Sequence, residues 1–145
     1  MNLAFAMTKE LLPPKGSKKE TRRFMKPTQF QRWLNAYQNP NKIHDAYDMA
    51  PRNGGQKIGQ FVLTDKPFWQ PLSNMDVNAV AREGRSDLLD SDDPVKEFIL
   101  FYFVRPKPTW NQDKINAAYH AKLQDSCVVL RFDFQPSIIN QLVIL

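Results

Sequence analysis

The chain has 145 residues and a net charge of +5, the size of one domain with its own hydrophobic core, and we treat residues 1–145 as a single domain. Its one cysteine, Cys127, excludes an intramolecular disulfide, and its two distant histidines, His44 and His120, do not form a zinc-binding pattern. We therefore predict no metal and no cofactor. The longest apolar run, FILFYFV, covers seven residues and is too short to cross a membrane, so we expect a cytoplasmic protein without a membrane partner.

Charge is divided unevenly along the chain. Residues 1–32 contain eight Lys or Arg and two Glu, whereas residues 76–97 contain seven acidic and three basic side chains. A cationic lobe attracts polyanions, nucleic acid first among them. A solvated basic surface without any ligand gives the same pattern, so charge alone leaves both interpretations open.

The first half of the chain is predicted to contain three strands, one helix and one loop. Strands are expected near residues 3–7, 20–25 and 57–64, the last from the alternation in KIGQFVLT. Between them, Thr28 can cap a helix that Pro40 closes. The apolar face of this helix comprises Phe30, Trp33, Leu34 and Tyr37. The following stretch to residue 56 has no sustained period and contains Pro51, Gly54 and Gly55, which indicates a surface loop.

A short helix is predicted in SNMDVNAVAREG. Ser73 and Asp76 can cap its start, and Gly84 is a natural left-handed terminator. Glu83 then occupies the last helical position, where its carboxylate faces the negative end of the helix dipole at a cost of about 0.3–1 kcal/mol. A role other than helix stability would explain this residue.

Two further helices and a strand complete the pattern. Helices are predicted for residues 93–106, between Asp93 and Pro106, and for the segment that follows Asn111. CVVLRFDF then alternates clearly, so residues 127–134 form a strand. Because no βαβ rhythm is visible, we expect an α+β fold, a small and mostly antiparallel β-barrel or strongly bent sheet with helices at its rim.

The basic segment GSKKETRRF contains several side chains that can bind a ligand or take part in catalysis. Its pattern is G-x-K-x-x-T-x-R, formed by Gly16, Lys18, Thr21 and Arg23. If ETRRF begins a strand, Thr21 and Arg23 share a face, and the Pro13–Pro14 corner with Gly16 lets the loop fold Lys18 back toward them. An ammonium, a hydroxyl and a guanidinium would then converge on one pocket.

Two chemistries use such a set. The cations can grip a phosphate while Thr21 donates a further hydrogen bond. Alternatively, Thr21 attacks an acyl carbon and Lys18 is the general base, its pKa lowered by desolvation and by the nearby cations Lys19, Arg22 and Arg23. A third interpretation, RNA cleavage through a 2′-hydroxyl, is not supported by any acid–base pair that singles it out.

Six segments in this order resemble an ASCH domain, a member of the PUA-like superfamily, from about residue 3 to residue 134. They are LAFAMTKELL, GSKKETRRF, NGGQKIGQFVLTDKPF, AREG, KEFILFYF and VVLRFDF. The resemblance implies a β-barrel whose cationic cleft carries the K-x-x-T-x-R pattern and binds RNA or nucleotides. Some ASCH proteins are amidohydrolases that deacetylate N4-acetylcytidine. Their lysine, threonine and glutamate correspond here to Lys18, Thr21 and Glu83.

The chain departs from those compact enzymes in residues 28–56, which we interpret as a helix-plus-loop insertion that serves a larger ligand or a lid. On its loop, Tyr47 and Arg52 are candidates to stack on unpaired bases of RNA or single-stranded DNA. The full predicted nucleic-acid-binding set is Lys18, Lys19, Arg22, Arg23, Tyr47 and Arg52. The apolar residues 135–145 predict an extra strand or a homodimer interface.

Overall fold

The computed structural model describes residues 1–39 and 41–137, which contain six strands and four α-helices. In chain order these are β1 (Asn2–Ala4), β2 (Glu20–Arg23), α1 (Pro27–Tyr37), β3 (His44–Tyr47), β4 (Lys57–Leu63), β5 (Phe68–Pro71), α2 (Val77–Arg82), α3 (Pro94–Ile99), α4 (Gln112–Lys122) and β6 (Ser126–Pro136). A π-helical turn, Leu100–Val104, continues α3, and short 3-10 turns connect other elements. No helix in these ranges is long and apolar enough to cross a membrane.

The strands form one curled mixed sheet, a half-barrel, in the order β1-β3-β4-β6-β2 with β5 beside β6. The long strand β6 organises it, because its first half pairs with β2 and β5 and its second half with β4. Every pair is antiparallel except β1 with β3, which is parallel. The predicted α+β class with a strongly bent sheet is confirmed, whereas the PUA-like assignment stays a prediction.

Two hydrophobic cores lie against β6. Even-numbered residues of β6 from Val128 to Phe134 join a first core that includes Phe5, Trp33 and Phe61, as the alternation predicted. Cys127 joins a second core, whose other buried members are Leu72, Met75, Ala79, Val80, Phe98 and Ile99. Since apolar material covers both faces of β6 over residues 127–130, that stretch is fully buried.

The predicted loop within residues 28–56 is wrong in one respect, because residues 44–47 form β3 between β1 and β4. In β3 the two inward-facing residues are His44 and Ala46. This alternation is too short to recognise in the sequence, and a buried histidine is not a typical strand residue. Strand β5 was also missed. It has only four residues, the last of which is Pro71, and it lies at the edge of the sheet beside β6.

Two predicted boundaries change in the second half of the chain. The helix expected over residues 93–106 is α-helical only to Ile99 and ends in the π-helical turn, after which Arg105 has a left-handed conformation with φ 52°. At the other end, residues 135 and 136 belong to β6. The rest of the predicted tail from residue 138 lies outside the described residues, so the extra strand and the homodimer interface stay predictions.

Candidate functional site

Lys18, Thr21 and Glu83 line one cleft of about 600 Å³. Lys18 precedes β2, Thr21 lies in β2, and Glu83 follows the last residue of α2. All three are almost completely removed from water, with exposed fractions of 2%, 4% and 3%. The structure therefore brings together the three residues that the sequence suggested as catalytic.

Two glycines allow the backbone to pass close enough to build this cleft. A Cβ at Gly16 would lie 2.1 Å from the carbonyl oxygen of Leu11, so any side chain there would displace the turn that leads to Lys18. Gly84 has φ +92°, and its Cβ would lie 3.0 Å from the Cβ of Lys18. Gly84 thus ends α2 in the left-handed conformation that the sequence predicted, and this end of the helix packs directly on Lys18.

Glu83 connects two cations inside the cleft. Lys18 Nζ donates to Glu83 Oε1 at 2.6 Å, and Arg22 Nη1 donates to Glu83 Oε2 at 3.0 Å. Lys18 Nζ also lies 3.4 Å from the carbonyl oxygen of Glu83, at the negative end of α2. These contacts explain how the fold tolerates a carboxylate at a helix C-terminus, because both neighbours are positive.

Burial lowers the pKa of Lys18 from its ordinary value of 10.5, although Glu83 opposes the shift. Arg23 and Arg22 lower it further because like charges disfavour the ammonium. A lysine in this position can release its proton to an adjacent group more readily than a lysine on the surface. That property suits a general base.

Thr21 is held by the other cation of the predicted pattern. Arg23 Nε donates a hydrogen bond of 3.1 Å to Thr21 Oγ1, and its guanidinium lies 5.1 Å from the ring centre of Phe5. Such a charge-assisted bond favours negative charge on the hydroxyl oxygen. The cleft therefore combines a hydroxyl, a buried amine and a carboxylate.

Behind the cleft lies a buried charge network that sequence reasoning missed. Glu20 is fully buried and accepts hydrogen bonds from Arg22 at 2.6 Å, Arg82 at 2.9 Å and Arg131 at 2.6 Å. Burial opposes ionisation of Glu20, but the three arginines hold its pKa below the usual range. The available signal was that Glu20 and Arg22 share the strand face opposite Thr21.

The network changes the interpretation of Arg22. We predicted that Arg22 contacts nucleic acid, but its side chain is buried and paired with Glu20 and Glu83. Its Nε has no acceptor among the residues described, and an unsatisfied buried donor costs about 1–3 kcal/mol. Arg22 is therefore part of the wall that holds Glu83 rather than part of an exposed basic surface.

The remaining predicted nucleic-acid contacts lie elsewhere. Lys19 is exposed, Tyr47 belongs to β3, and Arg52 is exposed in the turn Pro51–Asn53; none of the three lines the cleft. Instead, the outer part of the cleft is formed by side chains that we had not selected. They are Phe24, Phe103, Arg105 and Lys122.

Among residues 1–39 and 41–137, the other reactive side chains do not form a second site of this kind. Burial raises the pKa of the Cys127 thiol to about 11, so it stays protonated at neutral pH. Within the described ranges, no cluster of three or more His, Cys, Asp or Glu side chains is arranged to hold a metal ion. A smaller hollow of about 280 Å³ lies between residues 9–15 and β4, and its Lys15 and Glu10 pair with each other at an exposed position.

Comparison with known proteins identifies no relative: no protein-family model, curated protein or solved structure matches the chain significantly. The ASCH resemblance thus depends on the six sequence segments quoted above. The chemistry of the cleft has to be argued from its own side chains.

Proposed function

We propose that this protein is an amidohydrolase that removes an acyl group from the exocyclic nitrogen of a cytidine derivative. One observation carries the proposal: Lys18 Nζ lies 2.6 Å from Glu83 Oε1, both buried, in the cleft that also contains the Thr21 hydroxyl. The reaction type follows from these groups. The cytidine substrate follows from the ASCH resemblance alone.

In the first half of the reaction, Thr21 Oγ1 forms a bond to the acyl carbon. Its proton passes to Lys18 Nζ, which must be neutral, and Glu83 can hold the lysine's proton across the 2.6 Å contact. The C–N bond then breaks, and the departing nitrogen takes a proton from Lys18. The products of this half are the free amine of the base and an acyl ester on Thr21.

In the second half, water attacks the ester carbon and gives a proton to Lys18. The ester C–O bond breaks, Thr21 Oγ1 recovers a proton, and the carboxylic acid leaves. Arg23 assists in both halves, because its Nε lies 3.1 Å from Thr21 Oγ1 and favours charge on that oxygen. The proton that leaves Thr21 ends on the departing nitrogen, and a proton of water restores the Thr21 hydroxyl, so the cycle balances without an oxidant.

Release of acetate from N4-acetylcytidine tests this function. We expect turnover by the wild type and its loss in Thr21→Ala and in Lys18→Ala, with folding of both variants checked by circular dichroism. Lys19→Ala is the matched control, because it removes an exposed cation beside Lys18 that does not line the cleft. An absence of turnover by the wild type over hours would reject this substrate.

A second candidate function, binding of RNA without chemistry, is favoured by the charge of the cleft. Five of its lining side chains are Lys or Arg, and one is a carboxylate. On this account, affinity for a short single-stranded RNA falls steeply with salt, and Arg23→Ala weakens binding across sequences. Affinity that is independent of ionic strength would exclude it. Thr21→Ala separates the two functions, since it should abolish hydrolysis and leave salt-dependent binding measurable.

A further inference from the structure

We propose that the outer part of the cleft is a subsite for a phosphate ester beside an aromatic shelf. The subsite consists of Arg105 and Lys122, and the shelf consists of Phe24 and Phe103. The inference rests on the proposed function and extends it: the preferred substrate is a phosphorylated cytidine derivative, a nucleotide or a residue of RNA, rather than the free nucleoside.

The charges of the cleft are not balanced at its outer end. Glu83 pairs with Lys18 and Arg22, which accounts for two of the five cations. Of the others, Arg23 and Arg105 have no carboxylate within 4.0 Å among residues 1–39 and 41–137. Lys122 contacts Asp125 at 3.3 Å in a partly exposed pair, which is worth little in water. An anionic ligand would supply the missing charge.

The aromatic shelf lies beside these cations. Phe24 is 45% exposed, its ring centre is 5.3 Å from that of Phe103, and Lys122 Nζ lies 4.7 Å from the Phe24 ring centre. An exposed ring next to a cation is the combination that proteins use to stack a base and hold its backbone phosphate. The cleft volume of about 600 Å³ is also ample for a nucleotide.

The backbone that carries Phe103 and Arg105 departs from regular α-helix geometry. The π-helical turn Leu100–Val104 ends α3, and Arg105 follows it with φ 52° and ψ 64°, a left-handed conformation that is unfavourable for a residue with a Cβ. Such irregularities concentrate at functional sites. Here they place Phe103 and Arg105 in the cleft lining, where the Arg105 guanidinium donates to the Met7 thioether and to the Tyr102 carbonyl.

Kinetics with three probes at low ionic strength test the subsite: N4-acetylcytidine, its 5′-monophosphate, and a short single-stranded oligoribonucleotide with one internal N4-acetylcytidine. The variants are Arg105→Gly, which keeps the left-handed backbone, and Lys122→Ala. Lys107→Ala is the matched control, since it removes an exposed charge two positions from Arg105 outside the cleft. Binding of cytidine 5′-monophosphate and of cytidine is measured in parallel by calorimetry.

We expect kcat/KM to favour a phosphorylated probe by about tenfold or more, the range of a charged hydrogen bond. Arg105→Gly and Lys122→Ala should reduce the ratio of kcat/KM for the phosphorylated probe to kcat/KM for N4-acetylcytidine, and Lys107→Ala should leave this ratio unchanged. Preference for the monophosphate identifies a terminal phosphate as the anion, and preference for the oligonucleotide identifies a phosphodiester; either result supports the subsite.

The inference is overturned if the wild type has equal kcat/KM for all three probes. It is also overturned if Arg105→Gly and Lys122→Ala both keep the wild-type preference for the phosphorylated probe. If no probe releases acetate, the proposed hydrolysis fails and calorimetry alone decides about the subsite. Cytidine 5′-monophosphate bound about tenfold tighter than cytidine then supports it, whereas equal affinities overturn it.

Discussion

Lys18 and Glu83 are both nearly removed from water, so the charge state of Lys18 depends on the carboxylate beside it. Burial lowers the pKa of Lys18 and the Glu83 carboxylate raises it. In Glu83→Gln the raising contribution disappears, so the pKa of Lys18 moves further below 10.5. We expect the ascending limb of kcat/KM against pH to shift to lower pH, while kcat falls by about 10²–10⁴-fold because the proton carrier is lost.

The pH profiles of wild type, Glu83→Gln and Asp87→Asn measure this effect. Asp87 is an exposed acid outside the cleft, so its removal should leave the ascending limb in place. If the ascending limb of kcat/KM against pH stays at the same pH in Glu83→Gln, the limb does not reflect the ionisation of Lys18.

The same pair should be visible in stability. Among the residues that the structure describes, Lys18→Met leaves Glu83 with one cationic contact, Arg22, and Glu83→Gln leaves Lys18 without a carboxylate. Each single change is expected to lower the free energy of unfolding by about 3 kcal/mol, because it removes one partner of a buried charge. The double variant should lose clearly less than the sum, by about 1 kcal/mol or more. Urea denaturation measures all four proteins, and strict additivity would contradict a direct interaction.

At the scale of single residues, the sequence was sufficient for groups that are close along the chain. Lys18, Thr21 and Arg23 lie within six positions, so strand alternation and one glycine were enough to predict their convergence. The Glu20 network was beyond that logic, because Arg82 and Arg131 are 62 and 111 positions away from it. Which cation is buried as a partner and which is exposed as a ligand contact depends on such long-range pairing, as Arg22 demonstrates.

At the scale of elements, the end of α2 determines where Lys18 lies. Gly84→Ala combines an unfavourable left-handed φ with a Cβ 3.0 Å from the Lys18 Cβ. We expect a loss of stability of about 1–3 kcal/mol and a fall in kcat of about tenfold or more, since small displacements of catalytic groups are costly.

Gly54→Ala is the matched control for that variant. Gly54 also has positive φ, 84°, but a Cβ there would meet nothing within 4 Å. It should show the backbone cost of about 1 kcal/mol without any effect on kcat. Equal kinetic losses in both variants would show that the contact between Gly84 and Lys18 has no catalytic consequence.

The starts of α2 and α4 were predictable from their capping residues, whereas the cap predicted at Thr28 is wrong, because α1 begins at Pro27 after Lys26. Asp76 and Asn111 each accept the backbone N–H that a helix start requires, at 2.8 Å in both cases. Strand β3 was not, because a four-residue strand in the middle of the sheet is stabilised by its neighbours β1 and β4 rather than by its own pattern. The π-helical turn after α3 has no recognisable sequence signal, so the outer wall of the cleft was also missed.

At the scale of the whole molecule, β6 connects both hydrophobic cores, and we expect them to unfold together. Trp33 reports the first core, and Cys127, buried in the second, reacts with thiol reagents only when that core opens. Tryptophan fluorescence and Cys127 labelling should therefore give the same urea midpoint, with the fluorescence of Trp69 and Trp110 removed by substitution to Phe. Labelling at a clearly lower urea concentration would indicate that the second core opens separately.

If a buried amine and a carboxylate serve a threonine nucleophile, the acyl-enzyme should be visible by mass spectrometry of the protein quenched during turnover of N4-acetylcytidine. We expect an acetyl group on the peptide that contains Thr21, localised to its hydroxyl and absent in Thr21→Ala. Acetate release that continues in Thr21→Ala, or an acetyl group localised to any other residue, would contradict it.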